Sequence, residues 1–258
     1  EEPEGSFIWT VEKLENTAAK KETKGLSVML RKYRLRLAFR VLTAVATVWV
    51  LLADRTAFQV LTGWGFWQKL SPLHLLWIIW MGDMVLQLIP TRQVMALGSQ
   101  KQFGRWYRPA PAWDAAALEA YVQKSDRGAR RVLVSWVAMT IVLGVLRSTE
   151  VFGPEELLLT SVFFYVCDLI CVVVWCPFRT FLMKNRCCTT CRIFNWDHMM
   201  MFVPFLFVPG FYGWTLLGLA VVVVVVWEVL WRRHPERFWE GSNQALRCAN
   251  CADRLCGR

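Results

Sequence analysis

Two short cysteine motifs are the part of this sequence best suited to chemistry. They are Cys188-Thr-Thr-Cys191 and Cys248-Ala-Asn-Cys251, and both have the Cys-x-x-Cys spacing. This spacing lets one tight turn present two thiolates to a single ion, and two such turns complete a tetrahedral site with four sulfur ligands. The sequence therefore predicts a metal site whose ligands are Cys188, Cys191, Cys248 and Cys251.

The identity of the metal is open from the spacing alone. A structural zinc ion is the first interpretation, and it would fasten the C-terminal tail to the loop that holds the first motif. An iron–sulfur cluster is the alternative, because it uses the same thiolates and because a Cys-Pro pair, here Cys176-Pro177, often closes a cluster motif. Redox-reactive thiols without a metal are the third interpretation. Possible extra ligands are Cys187, Cys256 and Cys176.

Two acidic residues interrupt long apolar stretches of the chain. Asp83 and Asp168 each lie seven or eight residues from one end of such a stretch, which is a depth of roughly 10–12 Å at about 1.5 Å per residue. A charge at that depth in a membrane is costly, so it usually faces a partner or a water-filled cavity. One hypothesis is a shared proton or cation site. The other is hydrogen bonding to Trp, Thr or Gln87 that fixes helix packing.

The composition indicates that lipid is the solvent of these stretches. Of the 258 residues, 55% are hydrophobic and 19% are charged, whereas soluble proteins are roughly 45–50% apolar and about 25% charged. Long runs with almost no charge argue for transmembrane helices rather than for an unusually large core. The sequence contains no P-loop, nucleophile elbow, zincin or dinucleotide-binding fingerprint.

The pattern of apolar runs predicts an all-α, polytopic transmembrane bundle with about six spans. The last apolar region, 199–231, is too long for one crossing, and Pro204, Pro209 and Gly210 interrupt it. We therefore expect a hairpin there, with a re-entrant segment as the competing interpretation of the short fifth span. The predicted spans are 37–53, 72–90, 132–146, 157–176, 193–208 and 211–231.

The distribution of basic residues sets the predicted orientation. With both termini inside, the inner segments 1–40, 91–131, 177–198 and 232–258 hold nine, eight, four and six Lys or Arg. The outer segments keep only Arg55, Lys69 and Arg147 of the 30 basic residues. Such a bias in short loops is the quantity that orients membrane proteins. We therefore predict that both termini are cytoplasmic in a multi-pass protein of the cell membrane.

The same distribution explains the net charge of +10 without nucleic acid as a partner. The basic surplus is an orientation signal, with some attraction to anionic lipid headgroups. In this topology both cysteine motifs face the cytoplasm, which is reducing, so a metal is a better account of them than disulfides. Cys167 and Cys171, inside the fourth predicted span, are interpreted as small packing residues.

The sequence thus predicts three regions: a cytoplasmic tail over 1–36, a membrane domain over 37–231 with a cytoplasmic loop at 91–131, and a cytoplasmic cysteine-containing tail over 232–258. Within the loop, Trp113–Gln123 is expected to be a connecting helix, with a helix on the membrane surface or against the N-terminal tail as the alternative. The first functional hypothesis is a membrane subunit or docking scaffold clamped by zinc, with the lipid bilayer and other membrane or cytoplasmic protein subunits as partners. The alternatives are electron transfer through an iron–sulfur centre, or proton- or cation-coupled transport that uses Asp83 and Asp168.

Overall fold

Six helices carry most of residues 27–255, the part of the chain that the computed structural model describes. Residues 1–26, which belong to the predicted N-terminal tail, and Cys256 lie outside it. No β-strand occurs between residues 27 and 255, where the only β-type pairings are two isolated bridges, so the all-α prediction is confirmed. The helices are α1 Val28–Ala53, α2 Leu73–Gln87, α3 Ala115–Ser148, α4 Pro154–Val173, α5 Asp197–Phe202 and α6 Phe211–Arg233.

Four of these helices, α1, α3, α4 and α6, are long and apolar enough to cross a membrane. The outward face of α1 is strongly apolar, with Leu42, Trp49 and Leu52 between 67% and 77% exposed. So large an unpartnered apolar surface is typical of contact with lipid rather than with water. The α2 helix, with 15 residues, extends about 22 Å, which is less than the roughly 30 Å of hydrocarbon in a bilayer.

The helices begin where side chains satisfy the free amides of their first turns. The Ser27 hydroxyl accepts a hydrogen bond from the Leu30 amide at 3.0 Å at the start of α1; Ser at this position is a common helix cap. Asp114 caps α3 in the same way. Glu156 accepts a hydrogen bond from the Gly153 amide at the start of α4, where proline at the first helical position has no amide to satisfy.

The structure differs from the sequence prediction at α3. Instead of a separate helix at Trp113–Gln123 and a span at 132–146, one helix of 34 residues runs from Ala115 to Ser148. No proline interrupts these residues. Gly128 lies where α3 packs against Met183, and a larger side chain there would crowd Met183. The helix is about 51 Å long, so its first third projects beyond the part predicted to lie in the membrane.

The predicted fifth span is not one helix. Its residues form three consecutive short segments, Phe194–Trp196, Asp197–Phe202 and Val203–Phe207. Pro204 has no amide hydrogen to continue a helical ladder, which accounts for the change of helix type at that point. The residues after Pro204 run to Pro209 and contact the segment that follows α1. There the Gly63 amide donates a hydrogen bond to the Pro209 carbonyl at 2.9 Å.

The helices surround a core rich in aromatic residues. Trp80 of α2 lies at its centre, with its ring centroid 5.8 Å from that of Tyr165 in α4 and 5.1 Å from that of Phe202 in α5. All three side chains are almost completely buried. The α1 helix packs chiefly on α4, and α6 packs on α2 and α5. The side chains that face this core from α1, α2, α4 and α5 also include the charged residues described below.

The connecting segments 91–114, 174–196 and 234–255 pack together with the first third of α3, and we call this assembly the cap. The Tyr121 hydroxyl of α3 lies 3.2 Å from the carbonyl oxygens of Thr190 and Phe238, which belong to two different segments. The Ala110 amide donates to the Ser242 carbonyl at 2.9 Å. Each connecting segment is therefore held by the others rather than exposed as a separate loop.

Candidate functional site

The first cysteine motif forms one tight turn that is buried in the cap. The Cys191 amide donates a hydrogen bond to the Cys188 carbonyl at 2.9 Å, and both side chains are less than 10% exposed. The ammonium group of Lys101 donates to the carbonyl oxygens of Thr189 and Cys191, both at 2.8 Å. The backbone of the motif is thus fixed from another segment of the cap.

The second motif forms a similar turn nearer the surface. The Cys251 amide donates to the Cys248 carbonyl at 3.3 Å; Cys248 is exposed and Cys251 is half-buried. The carboxylate of Asp253 anchors this turn, because it pairs with Arg92 at 2.9 Å and accepts a hydrogen bond from the Leu97 amide at 2.7 Å. Both motifs are therefore tied to the segment 91–114.

The two motifs do not converge in this structure. Cys188 and Cys191 line a cavity of about 480 Å³ that also contains Cys167, Cys171 and Cys176 on its wall. Cys251 instead lies close enough to Cys187 for the two thiols to interact electrostatically. Over residues 27–255, no three His, Cys, Asp or Glu side chains are grouped so that they could hold a metal ion. The four-cysteine site stays a prediction, and Cys256 lies outside the described residues.

Burial keeps the thiols of the first motif protonated. It raises the pKa of Cys188 to about 12, although the guanidinium of Arg179 acts in the opposite direction and lies 3.3 Å from the sulfur. Burial also raises the pKa of Cys191. Because a thiolate is the form that binds a metal or attacks a disulfide, these two cysteines are unreactive unless a cation displaces their protons.

Lys101 is the most unusual charged residue of the cap. Burial lowers the pKa of its ammonium group from 10.5 to about 7. Its nitrogen lies 5.2 Å from the ring centroid of Trp227 and 5.4 Å from that of Phe238, distances at which aromatic faces attract a cation. Lys101 therefore joins the first cysteine motif to α6 and to the C-terminal segment.

A charge cluster lies between α1, α2 and α4, and it includes both acids that the sequence singles out. A guanidinium nitrogen of Arg40 lies 2.6 Å from the carboxylate of Asp168, and another lies 3.7 Å from that of Asp83. The same guanidinium stacks over the ring of Tyr165 at 4.0 Å. The structure thus gives the two acids one shared cationic partner.

A second acidic group adjoins this cluster. Asp197 accepts a hydrogen bond from the Gln87 amide at 2.8 Å, and its other oxygen lies 3.3 Å from Nδ1 of His198. His198 is 1% exposed; its Nδ1 pairs with Asp197, and its Nε2 has no hydrogen-bond partner among the described residues. A small cavity of about 30 Å³ is bordered by the side chains of both clusters.

Sequence reasoning missed the partners of these acids. It considered Gln87, Trp or Thr for Asp83 and Asp168, whereas the structure supplies Arg40. A third acid, Glu228, lies in the sixth predicted span, and Arg192 holds its carboxylate with two nitrogens, at 2.6 and 2.5 Å. A usable signal for Arg40 was present, because it is the only Lys or Arg inside the six predicted spans.

Comparison with known proteins gives no further guide to this site. No protein-family model, curated protein or solved structure matches the chain.

Proposed function

We propose that this chain is a docking subunit of the cell membrane whose cytoplasmic cap is fastened by a structural zinc ion. The observation that carries the proposal is the interlocking of three connecting segments through the buried side chains of Lys101 and Asp253. A cap built in this way presents a fixed surface to other membrane or cytoplasmic subunits. The excess of Lys and Arg in the cap segments supports a cytoplasmic location for the cap and for both termini.

The zinc ligands in this proposal are Cys188, Cys191, Cys248 and Cys251. The donor set fits zinc, because each motif already forms a turn with two thiols and four thiolates complete a closed structural site. Cys187 and Cys176 are possible additional ligands, because both interact electrostatically with Cys188, and Cys256 follows the second motif. When bound, the ion supplies a cross-link between the segments 174–196 and 234–255.

The metal-bound form requires a local movement of the second turn toward the first. The second turn is the more exposed of the two, whereas the carbonyls of the first are held by Lys101. Because burial raises the pKa of Cys188 and Cys191, zinc binding must release protons. The affinity for zinc should therefore fall as the pH falls.

Metal analysis of protein purified anaerobically in detergent tests this proposal, together with an absorption spectrum. We expect one zinc per chain and no visible chromophore. The variants Cys188→Ser and Cys251→Ser should both lose the zinc, whereas Cys167→Ser, a matched change in α4, should retain it. Zinc that survives Cys251→Ser would contradict a clamp between the two segments.

The other outcomes of this measurement decide between the remaining hypotheses. Iron with acid-labile sulfide and a visible absorption band would replace the scaffold with electron transfer through an iron–sulfur centre, since both metals use the same thiolates. Protein without any bound metal would refute both metal hypotheses and leave redox-reactive thiols.

A second candidate function is the movement of protons or cations past Asp83 and Asp168. The observation that favours it is the buried His198, which pairs with Asp197 through Nδ1, has no hydrogen-bond partner for Nε2 among the described residues, and borders a cavity of about 30 Å³. A polar cavity of this size has room for a water molecule. The cluster thus contains protonatable groups on α2, α4 and α5 around one cavity with room for a water molecule.

Transport in reconstituted vesicles tests this second function. With a pH gradient imposed, Asp83→Asn should abolish proton flux while the protein keeps its thermal unfolding midpoint, and Glu119→Gln, a change at an exposed position of α3, should have no effect. A variant Asp83→Asn that unfolds or loses its helical circular dichroism would assign the acid to packing. Equal flux in the wild type and in empty vesicles would reject transport of protons.

A further inference from the structure

A groove of about 930 Å³ opens between α3 and α6, at the level where both helices enter the cap. The wall nearer the cap is charged, with Arg127 and Arg130 from α3 and Arg232 from α6. The wall farther from the cap is apolar and includes Leu133, which is 51% exposed, and Val224. The groove therefore changes from basic to apolar along the direction in which the chain passes from the cap into the predicted spans.

The acidic residues of the groove are already occupied. Asp126 and Glu228 both pair with the buried guanidinium of Arg192, at 3.2 and 2.5 Å. By contrast, Arg130 and Arg232 are both exposed, and neither forms an ion pair with any residue from 27 to 255. Four arginines and two acids line the groove, so its net charge favours an anionic ligand.

The apolar wall argues for a ligand with a hydrocarbon part. Trp136 and Met200 line the groove beside Leu133 and Val224, and these residues belong to or adjoin segments predicted to lie in the membrane. A free anion would leave this wall in contact with bulk lipid and would gain nothing from it. A phospholipid satisfies both walls, because its phosphate lies at the membrane interface and its acyl chains lie below.

We propose that this groove is a binding site for an anionic phospholipid of the cap-side leaflet. The phosphate lies among Arg127, Arg130 and Arg232, and one acyl chain follows Leu133 and Val224. Basic pockets between transmembrane helices are known sites for anionic headgroups. The proposal depends on the membrane location of α3 and α6 but not on a metal in the cap, so a failure of the zinc hypothesis leaves it unaffected.

Binding of phosphatidylglycerol to the full chain in detergent, followed by native mass spectrometry, tests this site. We expect phosphatidylglycerol to bind at lower concentration than phosphatidylcholine with the same acyl chains. The double variant Arg130→Gln and Arg232→Gln should weaken phosphatidylglycerol binding about 30-fold, because each basic residue near anionic lipid contributes roughly a fivefold factor. The single variant Arg130→Gln should weaken it about fivefold.

The control is Arg131→Gln, which makes the same change at an exposed neighbour that does not line the groove. It should leave phosphatidylglycerol binding unchanged. Equal binding of the two lipids, or an equal loss in Arg131→Gln and Arg130→Gln, would overturn the proposal. Competition by millimolar inorganic phosphate would also overturn it, because the site would then hold a free anion and not a lipid.

Discussion

Replacing Arg40 with methionine should destabilise the protein strongly. The Arg40 side chain is 9% exposed, and its guanidinium lies 2.6 Å from Asp168 and 3.7 Å from Asp83. Methionine fills a similar volume without charge, so the two carboxylates lose the only ion-pair partner that they have among the described residues. Removing one partner of a buried ion pair costs about 3–5 kcal/mol. We expect a loss of unfolding free energy in that range for Arg40→Met.

Unfolding in detergent, followed by tryptophan fluorescence and helical circular dichroism, measures this loss. The control is Arg34→Met, at an exposed position of the same helix, which should cost less than about 1 kcal/mol. The variant with Arg40→Met, Asp83→Asn and Asp168→Asn should recover most of the stability, since neutral amides need no cation.

Two results would refute the electrostatic reasoning. Equal stability of Arg40→Met and Arg34→Met would mean that the carboxylates do not depend on Arg40. A triple variant as unstable as Arg40→Met would mean that the lost contribution is the stacking of Arg40 on Tyr165, at 4.0 Å, and not its charge.

Three further predictions concern two residues of the cap and the glycine that precedes α6. Burial lowers the pKa of Lys101 from 10.5 to about 7, so between pH 7 and pH 10 the unfolded chain binds more protons than the folded protein. The free energy of unfolding should therefore rise over this range, by up to about 1.4 kcal/mol per pH unit. Thermal melts of Lys101→Met should lack this rise. Gly210→Ala should cost about 1–3 kcal/mol, because the added methyl would overlap the Leu61 carbonyl oxygen, whereas Gly218→Ala meets open space and should not destabilise; both are read from denaturant midpoints. Asp253→Asn should speed maleimide labelling of the half-buried Cys251 about tenfold or more, since a buried hydrogen bond to a charged group contributes about 1.5–3 kcal/mol. Unchanged labelling of Cys251 would show that this carboxylate does not hold the motif.

The elements that the sequence predicted well are those with a local physical signal. Ser27 precedes α1 with a hydroxyl that accepts from the helix, and Pro154 opens α4 where its missing amide costs nothing. Long uncharged runs mark α1, α4 and α6, because a helix in lipid needs apolar residues on every side. These features require only neighbouring residues, so they are readable without a structure.

The features that the sequence did not predict depend on contacts between distant segments. The first third of α3 has a polar exposed face, and Tyr121 holds it against Thr190 and Phe238. Hydropathy alone therefore predicts two separate helices where the structure has one. Arg40 meets Asp168 across 128 positions of the chain. Its position inside a predicted span was the available signal, since an intramembrane cation usually has an intramembrane anion as its partner.

The contrast between the two cysteine motifs bears directly on how a metal could act in the cap. Lys101 holds the carbonyls of the first motif, so the first turn is already positioned and a metal would not have to organise it. The second turn is exposed at Cys248 and is anchored through Asp253 and through the Asn250 side chain, which donates to the Gln244 carbonyl. A zinc ion bound by both turns would therefore act mainly on the C-terminal segment, and its removal should loosen residues 248–255 while the membrane helices and the Lys101 contacts persist. A general collapse of the cap on removal of zinc would instead show that the buried polar contacts are insufficient to hold it.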